Sequence, residues 1–152
     1  MFMRRVSELF DGLGESKVMY LGTCSNGRVT SRAMSFIIYD KKLYFQTDRN
    51  FIKYEQISEN PNVAVCIDNI QIEGVCRDIG APLDDANRLF AEKYMKYYKS
   101  SFEKYSCMKD EALMEVTPTQ IKLWNYEDGQ PYQEFLNFID KMYLKEYYKC
   151  SK

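Results

Sequence analysis

Period-two alternation of apolar and polar residues dominates the first half of the chain. Its longest run, Arg28 to Tyr39, predicts an unusually long strand. Lys17 to Cys24 alternates ahead of it. Ser25-Asn26-Gly27-Arg28 joins the two as a type I′ hairpin, because Asn-Gly accepts positive φ at both turn positions. Asp40-Lys41-Lys42 turns the long strand into a third, Leu43 to Thr47, giving an antiparallel meander. Asn62 to Ile67 and Ile70 to Ile79 read as another pair, turned at Asp68-Asn69, in which Gly74 marks a bulge or a close approach. Ala112 to Tyr126 reads as a last strand, bent at Thr117-Pro118.

Helical spacing appears in four places. Val6 to Leu13 is a short amphipathic helix ended by Gly12 and Gly14. Asn50 stands where it would cap a helix from Phe51 to Glu59, which Asn60-Pro61 stops. Leu83 to Tyr98 carries Ala86, Leu89, Phe90, Tyr94, Tyr97 and Tyr98 at helical intervals, with Asp84 and Asp85 favouring its N-terminus; the tyrosines read as packing. Pro131 starts a final helix over residues 131–147, with Tyr132, Phe135, Leu136, Ile139, Met142 and Tyr143 on one stripe and a frayed tail from Lys145. About six strands with short flanking helices predict a mainly β fold, a closed or split antiparallel β-barrel. The 152 residues suit a single domain.

Composition narrows the function classes. The 21 basic and 22 acidic residues leave no global field to recruit nucleic acid. No segment approaches the ~20 apolar residues of a membrane span. Arg4, Arg5, Glu8 and Asp11 interrupt any secretory h-region, so a cytoplasmic location is expected. The five cysteines show no C-x-x-C spacing, and Cys24, Cys66 and Cys76 fall in predicted strands as small hydrophobes. Histidine is absent, which removes His-based acid–base catalysis, the common zinc sites and a His-ligated haem; no metal is expected.

The candidate chemistry lies between Arg28 and Pro61. Alternation puts Arg32, Met34 and Phe36 on one face of the long strand and the small Ser31, Ala33 and Ser35 on the other. Small side chains let a flat ring approach the main chain, while Arg32 offers a planar fork suited to phosphate oxygens. Lys53 falls in a first helical turn, where the dipole favours anions. An incoming phosphate resolves that conflict. Either cation alone is more readily an ordinary surface residue, and the pair does not by itself identify a ligand.

The order Leu21-Gly22-Thr23, Asn26-Gly27, Ser31-Arg32-Ala33-Met34, Leu43-Tyr44-Phe45-Gln46-Thr47-Asp48, Lys53 and Glu59-Asn60-Pro61 resembles the pyridoxamine 5′-phosphate oxidase-like, FMN-binding split-barrel family. Val63-Ala64-Val65-Cys66 and Ile72-Glu73-Gly74 continue the pattern, and the resemblance spans about residues 4 to 126. It implies a homodimer with FMN between the subunits. By position, Arg32 and Lys53 resemble the phosphate ligands, Ala33, Met34 and Ser35 the backbone lining of the ring, and Gln46, Thr47 and Asp48 the second-strand ring and ribityl contacts. Ile52 replaces a basic residue common at the family's phosphate site. Asn69 stands near a position where the oxidases use glutamine, and Trp124 resembles the aromatic near the partner's flavin, or serves as a core or interface side chain.

The departures shape the expected activity. The arginine and histidine of the true oxidases' C-terminal segment are missing, which argues against oxidation of pyridoxamine phosphate. A nitroimidazole-reductase branch looks similar over Cys24 to Arg28, but its pocket histidine is also missing. The resemblance implies an FMN-dependent oxidoreductase acting on a small molecule, with flavin carrying the hydride or electrons and no side chain assigned as catalytic. The alternatives are a flavin or deazaflavin protein serving as sensor, store or electron buffer, and a split barrel with an empty pocket that works through its dimer surface.

Overall fold

The computed structural model describes residues 1–149; residues 150–152, with Cys150, lie outside the described part. Helix α1, Phe2–Leu13, turns Phe2, Val6, Leu9, Phe10 and Leu13 into the core. Gly14, at φ 80°, ends it by donating its N–H to the Phe10 carbonyl at 3.1 Å. The meander follows as β1 Ser16–Ser25, β2 Arg28–Tyr39 and β3 Lys42–Asp48. Asn26 and Gly27 take positive φ, as the Asn-Gly turn requires. Helix α2, Ile52–Glu59, leads to the pair β4 Asn62–Ile67 and β5 Ile70–Asp78.

A 17-residue strand, β6 Glu111–Glu127, closes the barrel. Its first half pairs with β3 on one side and with β5 on the other, and the sheet order around the closure is β3-β2-β1-β4-β5-β6. The ladder slips at Glu73/Gly74, opposite Pro118. A Cβ on Gly74 would lie 2.7 Å from Val116 Cγ1 and 2.8 Å from the Thr117 carbonyl oxygen, so the glycine permits the crossing. Met19, Leu21, Phe36, Phe45, Val65, Ile72, Met114 and Ile121 fill the interior. Six strands thus form the closed antiparallel barrel expected.

Three expected elements change. Residues 131–147 form no helix: β7 Gln130–Asn137 and β8 Met142–Tyr147 extend the sheet beyond β6. The turn before β7, Asp128-Gly129, has positive φ at both residues and is a hairpin signal. Tyr132, Glu134 and Leu136 alternate inward. The inward glutamate hid the period of two, and aromatics on both faces imitated a helical stripe. The expected Leu83–Tyr98 helix is a 3-10 turn at Asp85–Asn87, α3 Arg88–Tyr97 and a separate α4 Lys99–Tyr105. Buried Asn87 spends its side-chain amide on the carbonyls of Ile79 and Ala81, fixing the entry to α3. Asn50 is not the α2 cap: Phe51 holds that position without a side-chain bond, and Asn50 turns its amide to Asp48 and Asp110. Cys66 is exposed on β4, whereas Cys76 is buried.

Phe90 and Tyr94 of α3 pack with Ile37, Tyr44 and Leu113 in a second apolar cluster outside the barrel. This cluster fixes α3 and α4 beside the meander.

Candidate functional site

β2 and β3 pair over only three residue positions, Ile37↔Tyr44 to Tyr39↔Lys42. Beyond them β2 follows β1, and β3 follows β6. The two strands part, and among the described residues one edge of each is left without a neighbour in the sheet. A cavity of about 380 Å³ fills the split. Its walls include Ala33, Met34 and Ser35 from β2, Gln46, Thr47 and Asp48 from β3, and Lys53 from α2. Seven of the residues singled out in the sequence therefore meet in one place.

Arg32 does not line this cavity, but its charge acts on the lining residue Lys53, and its guanidinium is held by several acceptors. Nη1 donates to the Leu21 carbonyl at 3.2 Å and to Thr23 Oγ1 at 2.8 Å, and Nη2 donates to Thr30 Oγ1. Arginine only donates, so each hydroxyl must send its own proton elsewhere. Both go to Gln56 Oε1, at 2.6 Å each, and Gln56 Nε2 donates to the Arg28 carbonyl at 3.0 Å. The two threonine oxygens are 3.1 Å apart and meet the two Nη atoms, so they share the guanidinium's outer edge. Nε–H and one Nη2–H remain without a partner among the described residues.

Lys53 Nζ is 3.3 Å from Thr47 Oγ1 and 4.8 Å from the centre of the Phe51 ring. Burial, and then the nearby Arg32 charge, pull its ammonium below the ordinary lysine range; Glu111 and Asp48 oppose that shift. Burial likewise lowers the Arg32 guanidinium. Among the described residues neither cation has a carboxylate within ion-pair distance. Burial disfavours both charges and the Arg32 charge adds to the shift at Lys53, so an anion beside them would be favoured.

The other singled-out residues lie apart from this cavity. Ile52 is exposed at the start of α2. Asn69 and Trp124 line a separate cleft of about 410 Å³ with Ala64, Cys66 and Lys122. There Asn69 Nδ2 donates to the Trp124 carbonyl at 2.8 Å, and the Trp124 N–H donates to the Asn69 carbonyl at 3.2 Å.

The sequence reading missed six further lining residues: Phe51, Tyr94, Ser101, Tyr105, Met108 and Glu111. Glu111 is the register partner of Asp48 on β6 and is buried. Its Oε2 accepts from Gln46 Nε2 at 2.7 Å, and Gln46 Oε1 accepts from Ser106 Oγ at 2.8 Å. Burial raises the Glu111 carboxyl above the usual range, with the Gln46 bond opposing. A glutamate heading the closing strand was the available signal, but its cross-barrel neighbour was not readable from local sequence.

The comparisons with known proteins agree with this fold. The family model for pyridoxamine 5′-phosphate oxidase matches residues 6–125. General stress protein 26 of Bacillus subtilis is 29% identical over 132 residues, covering 82% of this chain and 91% of the relative. The structure of General Stress Protein 26 from Bacillus anthracis superposes with a TM-score of 0.59 at 22% identity, over 95% of this chain and 99% of that one. An FMN-binding protein related to pyridoxamine 5′-phosphate oxidase, from Nostoc punctiforme, gives 0.59 at 16% identity, over 97% and 95% of the two chains. A heme-binding protein from Mycobacterium smegmatis shares the fold at 0.65 and 10% identity, over 84% of this chain and 56% of that one. With the split barrel built and residues 6–125 matched, the chain belongs to the pyridoxamine 5′-phosphate oxidase family.

Proposed function

We propose that the cavity in the β2–β3 split holds FMN and that the protein is a flavin-dependent oxidoreductase acting on a small molecule. The observation that carries this reading is the partly buried pair Arg32 and Lys53, which lacks a carboxylate partner among the described residues. A phosphomonoester dianion satisfies both cations and takes the two free N–H groups of Arg32 as a bidentate pair. Thr47 is within reach of the same group through Lys53. The unpaired edge of β2 at Ala33 to Ser35 suits a ring that seeks main-chain hydrogen bonds, and Gln46 and Asp48 suit the ring edge and polyol. FMN binding by the Nostoc punctiforme relative supports the choice of ligand.

Bound FMN would supply the hydride or electron transfer. The chain's own residues would grip the phosphate, order the ring against β2 and limit water under α4.

In this reading the site is shared by a homodimer in the cytoplasm. Asn69 and Trp124, remote from the cavity within one chain, would reach the ring from the second copy. The outer sheet face between the two clefts supports this arrangement. Register places Ala33, Tyr20, Cys66 and Gln71 in one row across four strands. Val18 and Tyr20 are each at least half exposed on it, at 50% and 55%.

Titrating the purified protein with FMN and with riboflavin tests the reading, with visible absorption and solution mass followed together. A yellow dimer that prefers FMN is expected, and loss of that preference in the Arg32→Ala, Lys53→Ala double variant. A colourless protein that takes up no FMN would refute the reading. Reoxidation of the reduced flavin by quinone or nitro acceptors separates turnover from storage.

A further inference from the structure

Glu111 has a feature that the phosphate site does not use. The residue is only 6% exposed and lines the cavity. Its Oε2 is occupied by Gln46, while its Oε1 has no hydrogen-bond partner among the described residues. No fully buried side-chain polar atom there lacks a partner, so Oε1 must keep contact with open space. The open space beside it is the cavity.

The hydrogen-bond direction fixes what this oxygen offers. Ser106 donates to Gln46 Oε1, which points Gln46 Nε2 at Glu111. Nε2 is only a donor, so Oε2 is only an acceptor. A proton on this carboxyl therefore resides on Oε1, and the ionised carboxylate presents Oε1 as a free acceptor.

The charges lining the cavity are Asp48, Lys53 and Glu111. Asp48 Oδ1 is engaged by both the main-chain and side-chain nitrogens of Asn50. Once a phosphate neutralises Lys53 and Arg32, the remaining lining carries negative charge only. Tyr94, Tyr105 and Met108 form a wall of the same cavity. That wall suits a flat, mainly apolar body.

We infer that Glu111 Oε1 selects the cavity's second ligand, admitting a small ring compound that presents a cationic amine or N–H donor and excluding ring compounds that carry a carboxylate or phosphate. This rests on the FMN reading, which supplies the neutralising phosphate. A buried acceptor left unmatched rejects the wrong ligand, and an anion there would meet like charge.

Benzylamine, benzyl alcohol and benzoate test the inference, since they share a ring and differ in charge. The full chain loaded with FMN is titrated with each, following the flavin's visible band. Benzylamine should bind at least about tenfold tighter than benzoate, and Glu111→Gln should reduce that ratio about tenfold or more. Glu111→Asp, which retains the carboxylate, should keep part of the preference, and thermal melts identify any variant that fails to fold. An unchanged ratio in Glu111→Gln overturns the inference. So does a wild-type preference for benzoate, or a Glu111→Gln defect confined to FMN affinity, which would assign Oε1 to the cofactor. If the chain takes up no FMN, the flavin reading fails separately. Calorimetric titration of the same probes in phosphate buffer then still decides the role of Glu111.

Discussion

The grip on phosphate should depend on residues that never touch it. Thr23, Thr30 and Gln56 hold the outer edge of the Arg32 guanidinium, leaving Nε–H and one Nη2–H for a ligand. Replacing both threonines by valine keeps the shape of the β1–β2 ladder and removes both acceptors. Arg32 keeps its charge and its bond to the Leu21 carbonyl, but it loses the contacts that fix its plane. Immobilising such a side chain on binding costs about 0.5–1.5 kcal/mol, so FMN affinity should fall roughly two- to tenfold. Arg32→Ala, which removes the charged bonds themselves at about 1.5–3 kcal/mol, should cost roughly ten- to a hundredfold.

Fluorescence titration with FMN and with riboflavin measures both effects, because the ligands differ only in the phosphate. Riboflavin affinity should change little in either variant. Thr23→Ser and Thr30→Ser, which keep the hydroxyls, should bind FMN much as the parent does. Thr23 is only 2% exposed, so the valine pair should also lose about 1–3 kcal/mol of stability. Thermal melts separate that loss from the binding defect. A double-valine variant that binds FMN as tightly as the parent, or loses both ligands equally, would refute the positioning role.

Other perturbations have readable outcomes. Glu134 is 4% exposed and accepts from Arg5 at 2.7 and 2.9 Å, from Asn125 and from Tyr143; Glu134→Ala should destabilise the fold by about 2–4 kcal/mol in denaturant melts. The Arg5 hydrogen bond holds the Glu134 carboxyl below its ordinary value. Its contribution is therefore complete above the unfolded-state pKa and disappears as pH falls through the lower folded value; Glu134→Gln should flatten that acid limb. Gly74→Ala should cost about 1–3 kcal/mol, and pairing it with Val116→Ala should recover only part, since the Thr117 carbonyl at 2.8 Å remains in the way. Tyr20→Glu, on the exposed outer face, should shift the mass in solution to the monomer and weaken FMN with it; a flavin-loaded monomer would refute the shared site.

What was legible in the sequence follows the range of the interactions. β2 and β4 have the expected bounds because alternation and turn residues are local, and Asn26-Gly27 takes the expected positive φ. Arg32 to Lys53 were found together because the meander and α2 carry them within one short stretch. Glu111 reaches the cavity through the β3–β6 ladder, a pairing that no local pattern announces. The wall from α4 was missed because the expected helix stops at Tyr98 and no element is predicted over residues 99–110; the backbone breaks at Tyr98, at φ −134° and ψ 52°, and a separate helix starts at Lys99. The C-terminal hairpin was misread because Glu134 faces inward. Its inward direction is explained by its donors, Asn125, Tyr143 and above all Arg5 of α1, 129 residues away in sequence.

The short pairing of β2 with β3 explains why the chemistry gathers where it does. A continuous ladder would satisfy the main chain of both strands and bring their side chains into contact, leaving no room for a ring. The ladder ends after Ile37↔Tyr44, and the edge-to-face pair Phe36 and Phe45, 5.5 Å between centres, packs in the barrel core at that point. Past this pair the strands are held from outside, β2 by its ten-residue register with β1 and β3 by β6. The flanking strands therefore hold the two walls of the split while Phe36 and Phe45 keep their core packing. The lining of the split carries the cation Lys53, whose charge Arg32 affects, and the carboxylates Asp48 and Glu111. Charges of both signs therefore line one split, together with the aromatic rings of Phe51, Tyr94 and Tyr105.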